Sequence, residues 1–252
     1  MLYRPLFWTA FWFQDWLQAS GYRGTKRIVI SSASAKTAFC LAYLTRMYAD
    51  DNGIKGFQVV GLTSSRNLAF TRGLGLYTDV IGYDDFDRAS ALDFHAHRWI
   101  YVDVAGNENL NARIRNRFAS STSLVAWIQL GLTNLSPSAP SAPSTKFSTN
   151  TTLEVSPQTS NGIVVEQFFM PEWLAVRRKQ LSISEVTDMQ AKAWRKLMRD
   201  GKGWVRMEKS LGAEEVLRAY CAISRGGLTP QIGMVWSLWE DTALERDTRS
   251  KL

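Results

Sequence analysis

The densest cluster of phosphate-binding chemistry lies where a short apolar run, Ile28-Val29-Ile30, gives way to Ser31-Ser32-Ala33-Ser34-Ala35-Lys36-Thr37. A strand that runs into small residues and then a helix offers bare backbone N–H groups and the positive end of the helix, and both attract an anion. Ser32, Ser34 and Thr37 add hydroxyl donors and Lys36 adds a charge. The turn holds no glycine, so it lacks the G-x-G-x-x-G pattern that lets a pyrophosphate approach the backbone closely. A serine-rich turn that only caps a helix fits the same residues. The second cluster is Thr63-Ser64-Ser65-Arg66-Asn67, after the apolar run Val59 to Leu62. A nucleotide-binding fold puts an acid here for a ribose diol, or a base for the 2′-phosphate of NADP. No acid is present within the run, and Arg66 can hold a phosphate through two parallel donors. An ordinary helix cap followed by an exposed arginine fits the run equally.

Acid–base candidates are few. Tyr101 and Asp103 lie on the run Trp99 to Val104, and Tyr83, Asp84 and Asp85 follow Asp79-Val80-Ile81; none has a partner visible in sequence, so no catalytic residue is assigned. There is no G-x-S-x-G elbow for a hydrolase and no G-x-x-x-x-G-K-[ST] loop for a nucleoside triphosphatase. His95 and His97 are the two histidines and Cys40 and Cys221 the two cysteines, and their spacing builds neither a zinc site nor a disulfide framework. The thiols read as buried and reduced, which suits the cytoplasm.

The elements that must position these residues follow from the apolar pattern. Arg27–Ile30, Phe57–Leu62, Asp79–Ile81, Trp99–Val104 and Ser123–Ile128 are short, continuous and apolar, and Ala35–Tyr48, Ser65–Gly73 and Asn109–Ala119 between them read as helices. Such alternation predicts a doubly wound α/β fold, with a mainly parallel sheet and helices on both faces. Residues 133–162 carry four of the seven prolines among Ser and Thr and read as a flexible loop. After it, Ile163–Phe169, Trp204–Met207 and Gly233–Leu238 read as strands returning to the same sheet, with Ser182-Ile183-Ser184-Glu185 as a capping box. The predicted organisation is an aromatic N-terminal helix at 1–25 and a Rossmann-like domain at 26–252 interrupted by that loop.

Taken together, Ile30 to Ala38, Val60 to Asn67, Gly73-Leu74-Gly75-Leu76-Tyr77 and Tyr101-Val102-Asp103-Val104-Ala105-Gly106-Asn107 resemble the domain-of-unknown-function family 2855, itself similar to the nucleotide-binding half of medium-chain dehydrogenase/reductases. The resemblance implies a Rossmann-type domain in which the turn Ser32, Ala33, Ser34, Lys36 and Thr37 takes the dinucleotide phosphates. It puts Thr63, Ser64, Ser65 and Arg66 at the adenosine ribose or its phosphate, and Asp103 and Asn107 near the nicotinamide ribose. It further implies NADP(H) as cofactor, an oxidoreductase-like activity on an unidentified small molecule, and residues 1–25 as the remnant of a catalytic domain otherwise missing. Gly131-Leu132-Thr133-Asn134 departs from that family in running straight into the Ser/Pro segment. The alternative is a non-catalytic interaction module or pseudoenzyme of the same fold.

Lys and Arg number 30 against 23 Asp and Glu among 252 residues, a net charge of +7. Residues 171–210 supply +5 of it, from ten basic and five acidic residues interleaved with Trp173, Trp194 and Trp204. Trp194, Leu197 and Met198 fit one buried helical stripe, so this segment reads as a solvated helix face rather than a nucleic-acid surface. The aromatic stretch Phe7 to Trp16 is interrupted by Gln14 and Asp15 and is too short to span a bilayer. It reads as a buried helix, with a homo-oligomer or other protein contact through its aromatic surface as the alternative.

Overall fold

The computed structural model describes residues 3–89, 92, 96–118, 123–130, 158–160 and 163–239. The chain divides into two compact units, residues 1–196 and 197–252. The first is built on strands β1 (Arg27–Ile30), β2 (Gln58–Thr63), β3 (Asp79–Gly82), β4 (Trp99–Asp103), β5 (Leu124–Leu130), β6 (Gln158–Ser160) and β7 (Ile163–Phe168). They form one sheet in the order β3-β2-β1-β4-β5-β7-β6. All neighbours pair in parallel except β6, which runs antiparallel to β7 at the edge. Strand order thus reverses between β1 and β4, and this is the Rossmann-like doubly wound sheet that the apolar runs predict.

Helices α1 (Tyr3–Ala19), α2 (Lys36–Asp51), α3 (Leu68–Gly73), α4 (Glu108–Phe118), α5 (Met170–Gln180) and α6 (Ile183–Asp200) accompany the strands. Every residue of β4 is buried, as a strand covered on both faces requires. On one face Val29, Leu62, Phe86, Tyr101, Ile114 and Trp127 belong to a continuous apolar cluster. Each such side chain contributes about 1.5–3 kcal/mol by leaving water. Helix α1 packs on α2 and α5. Its Phe7, Trp12, Phe13 and Trp16 are fully buried, as the reading of a buried helix expects. Trp16 stacks on Phe13, meets Phe168 of β7 at 5.4 Å and carries the Arg23 guanidinium 4.6 Å above its ring. Arg23, held at φ 50°, grips the buried Glu166 of β7 through both carboxylate oxygens.

Two expectations change. Most of the Ser/Pro segment lies outside the described residues, but its end, Gln158–Ser160, is strand β6. The tail does not return to the main sheet: β8 (Arg206–Leu211) and β9 (Ile232–Ser237) pair in parallel with each other, joined by α7 (Ala213–Gly226), in the second unit. The reason is visible in β8, which carries Arg206, Glu208 and Lys209 within six residues. A strand enclosed on both faces of a parallel sheet admits no such charges.

Candidate functional site

The β1–α2 turn stands at the point where strand order reverses. Ser31 N–H donates to Val102 of β4, and Ala33 N–H donates to Leu62 of β2, so the turn is tied to both neighbouring strands. Ala33 is also gripped from the other side, because the buried Tyr77 donates its hydroxyl to the Ala33 carbonyl at 2.8 Å. Burial pushes the Tyr77 phenol well above its ordinary pKa, so it remains a donor. Gly61 makes this close approach possible: a Cβ there would lie 2.8 Å from the Ala33 Cβ and 2.9 Å from the Tyr77 ring. Ser34 accepts from Asn67 at 3.0 Å.

The turn then opens onto α2, whose cap residue Ala35 supplies no side-chain hydrogen bond to the first-turn N–H groups. Those groups and the dipole of a 16-residue helix form a positive end flanked by Ser34, Lys36 and Thr37. Partial burial lowers the Lys36 pKa. Ser32 has φ 50°, the left-handed conformation that favours glycine. Its backbone N–H donates to the Tyr83 hydroxyl at 3.1 Å, and its own hydroxyl lies 3.2 Å from the same oxygen.

At the end of β2, Thr63 is 1% exposed and its hydroxyl has no partner among the described residues. Ser64 starts the short helical turn Ser65–Asn67 that leads into α3. Arg66 is exposed and makes no ion pair among the described residues. The sequence shows no acid within this run, yet the fold supplies one from elsewhere: Asp84, just after β3, accepts from Ser65 at 2.8 Å.

Asp103 and Asn107 are held in the frame of the site. Asp103 is 3% exposed; it accepts from Ser31 at 3.3 Å, from Gly106 N–H at 2.7 Å and from Asn111 at 2.7 Å. Asn111 in turn accepts from Tyr101, whose buried phenol is pushed well above its ordinary pKa by desolvation. This network ties the turn, β4 and α4 together. Asn107 caps α4 by accepting from Leu110 N–H at 3.1 Å. Gly61, Asn67 and Tyr77 fall within segments singled out from the sequence but were given no individual role there, and Asn111 was not singled out. Of these only Gly61 leaves a local signal, a glycine inside an apolar strand.

Among the described residues no three His, Cys, Asp or Glu gather into a metal site, and no helix is long and apolar enough to cross a membrane. A separate cavity of about 370 Å³, lined by Phe11, Asp15, Tyr48, Asp51, Lys192 and Lys196 among others, lies away from the turn. The basic segment is partly neutralised: Arg177 pairs with Asp15 and Lys196 with Asp51, while Trp173 is buried and Trp194 packs on Phe7 at 5.3 Å.

Residues 1–229 match the family described as Protein of unknown function (DUF2855). The chain belongs to this family. No curated protein matches the DUF2855 chain. Among solved structures it is similar to the Salmonella enterica yhdH oxidoreductase in complex with NADP, at 14% identity and TM-score 0.46, over 90% of this chain and 60% of that one. It is also similar to the Bacillus subtilis protein yhfP with NAD bound, at the same identity, TM-score and coverage. A third is CurA from Vibrio vulnificus in complex with NADPH, at 14% identity and TM-score 0.48, over 91% of this chain and 61% of that one. This DUF2855 chain thus spans about 60% of the length of these structures.

Proposed function

We propose that this DUF2855 chain binds a nicotinamide dinucleotide, NADP(H), as the cofactor-binding part of an oxidoreductase-like protein. The observation that carries the reading is the N-terminus of α2, without a side-chain cap, set at the reversal of strand order beside a β2 end that bears the exposed Arg66. The residues suit the phosphates of such a group. The first-turn N–H groups of α2 with Ser32, Ser34, Lys36 and Thr37 would hold the pyrophosphate. Thr63, Ser64, Ser65 and Arg66 would hold the 2′-phosphate, with the orphaned Thr63 hydroxyl the donor most in need of an acceptor. Ala33 would bring backbone close to the ligand. Asp103 and Asn107 act one step back, fixing the turn and capping α4. A bound nicotinamide would supply hydride transfer, and the protein's share is position and electrostatics.

The second reading, a non-catalytic module of the same fold, is favoured by the hydrogen-bond network that holds Asp103 and Tyr101 in the frame. Titration with NADPH, followed by energy transfer from the ten tryptophans to the reduced nicotinamide, tests the binding claim. Saturable transfer, weaker with NADH, is expected. No response at millimolar NADPH overturns it.

A further inference from the structure

Tyr83 and Asp84 are consecutive, and each occupies a donor of the turn or of the β2 end. The Tyr83 hydroxyl lies on both the backbone N–H and the hydroxyl of Ser32, at 3.1 and 3.2 Å. The Asp84 carboxylate lies on the Ser65 hydroxyl at 2.8 Å. Both residues begin the short helical segment Tyr83–Arg88 that leaves β3, so one piece of chain reaches both donor groups. Ser32 adopts φ 50° without being glycine, and its contacts to Tyr83 offset that unfavourable backbone. Tyr83 is further anchored by packing against the apolar cluster.

A phenol oxygen on a turn N–H and a carboxylate on a β2-end hydroxyl are the contacts that ligand oxygens would make in a dinucleotide complex. We propose that Tyr83-Asp84 is an internal strap that occupies the phosphate donors of the free protein, sets how tightly the site takes its ligand, and is displaced when a phosphorylated dinucleotide binds. The inference rests on the NADP(H) reading above. Asp84 gives the strap a charge preference: its carboxylate repels a 2′-phosphate beside Arg66 more than it repels a ribose hydroxyl.

Tyr83→Phe keeps the ring and its packing but removes the oxygen; Asp84→Asn keeps the shape but removes the charge. Loss of the Tyr83 hydroxyl's two contacts to Ser32 in the free state, the Ser32 hydroxyl being free to turn to water, should tighten NADPH binding to Tyr83→Phe about fivefold, with NADH tightened to a similar degree. Asp84→Asn should tighten NADPH about tenfold and NADH much less. In the free protein, hydrogen exchange at the Ser32 amide should be faster in Tyr83→Phe than in the unaltered chain, a readout that needs no cofactor. Wild-type binding with no gain in either variant, or weaker binding in Tyr83→Phe, overturns the strap and leaves the NADP(H) reading standing. Unchanged Ser32 exchange in Tyr83→Phe also overturns it. No binding by any of the three proteins overturns both readings, whereas binding by the variants alone supports the strap.

Discussion

Gly61→Ala tests how the fold holds the phosphate turn. The added methyl would lie 2.8 Å from the Ala33 Cβ and 2.9 and 3.1 Å from two atoms of the Tyr77 ring. Neither neighbour retreats freely. Ala33 is fixed by its N–H bond to Leu62 at 2.9 Å and by the Tyr77 hydroxyl on its carbonyl, and Tyr77 is itself buried. Overpacking of this kind costs about 1–3 kcal/mol, and two neighbours held in place put the expected value at about 2 kcal/mol. With a slope of about 2 kcal/mol per molar in urea, the midpoint should fall by about 1 M. Ala33→Gly removes one of the clashing methyls, so the double variant Gly61→Ala/Ala33→Gly should recover about 1 kcal/mol in a double-mutant cycle. Tyr77→Phe keeps the ring and should recover nothing. Equilibrium urea unfolding of the set is the assay. A Gly61→Ala protein within about 0.5 kcal/mol of the unaltered chain, or a cycle with no coupling to Ala33, would refute the close approach as the reason for glycine.

Arg66→Ala should weaken NADPH binding about tenfold or more and leave NADH nearly unchanged in calorimetric titrations, because a guanidinium–phosphate contact is charge-assisted; equal losses for both cofactors would count against a 2′-phosphate site. Glu166→Gln leaves the largely buried Arg23 without its counter-charge and should destabilise the first unit by about 3 kcal/mol, measured by urea unfolding, whereas a loss below about 1 kcal/mol would contradict a structural pair. Burial raises the Asp15 pKa above 3.8 despite the opposing hydrogen bonds from Trp173 and Arg177 and the Arg177 charge. The folded state therefore binds that proton more tightly than the unfolded chain, and stability falls as pH rises from about 3.8 through the raised value. Asp15→Asn should gain on the unaltered chain across that window in unfolding curves taken at successive pH values, and a constant difference would contradict the shift.

The sheet was legible because β1, β2, β4 and β5 each hold a continuous apolar run with polar residues mostly at its ends, the pattern of a strand covered on both faces. The turn and α2 were legible as small residues followed by helical spacing. The Ser182–Glu185 capping box was equally local: the Ser182 hydroxyl accepts from Glu185 N–H, and the Glu185 carboxylate accepts from the Ser182 N–H and hydroxyl, two bonds that lower the Glu185 pKa. What stayed hidden depends on distance along the chain. Tyr83 lies 51 residues from Ser32 and Asp103 lies 72 from Ser31, and nothing in the local spacing of either residue records its partner. The frame that Asp103 builds with Ser31, Gly106 and Asn111 was therefore not legible from its own neighbours in sequence. The tail misled for a different reason: Gly233–Leu238 is apolar enough for an inner strand, but its partner β8 is not.

The most direct measurement is a structure of this chain saturated with NADPH. The pyrophosphate should lie against the first turn of α2 beside Ser34, Lys36 and Thr37, the 2′-phosphate against Ser65 and Arg66, and the Tyr83 hydroxyl should be released from Ser32. A turn that stays bare at saturating NADPH, with Tyr83 still on the Ser32 N–H, would contradict it.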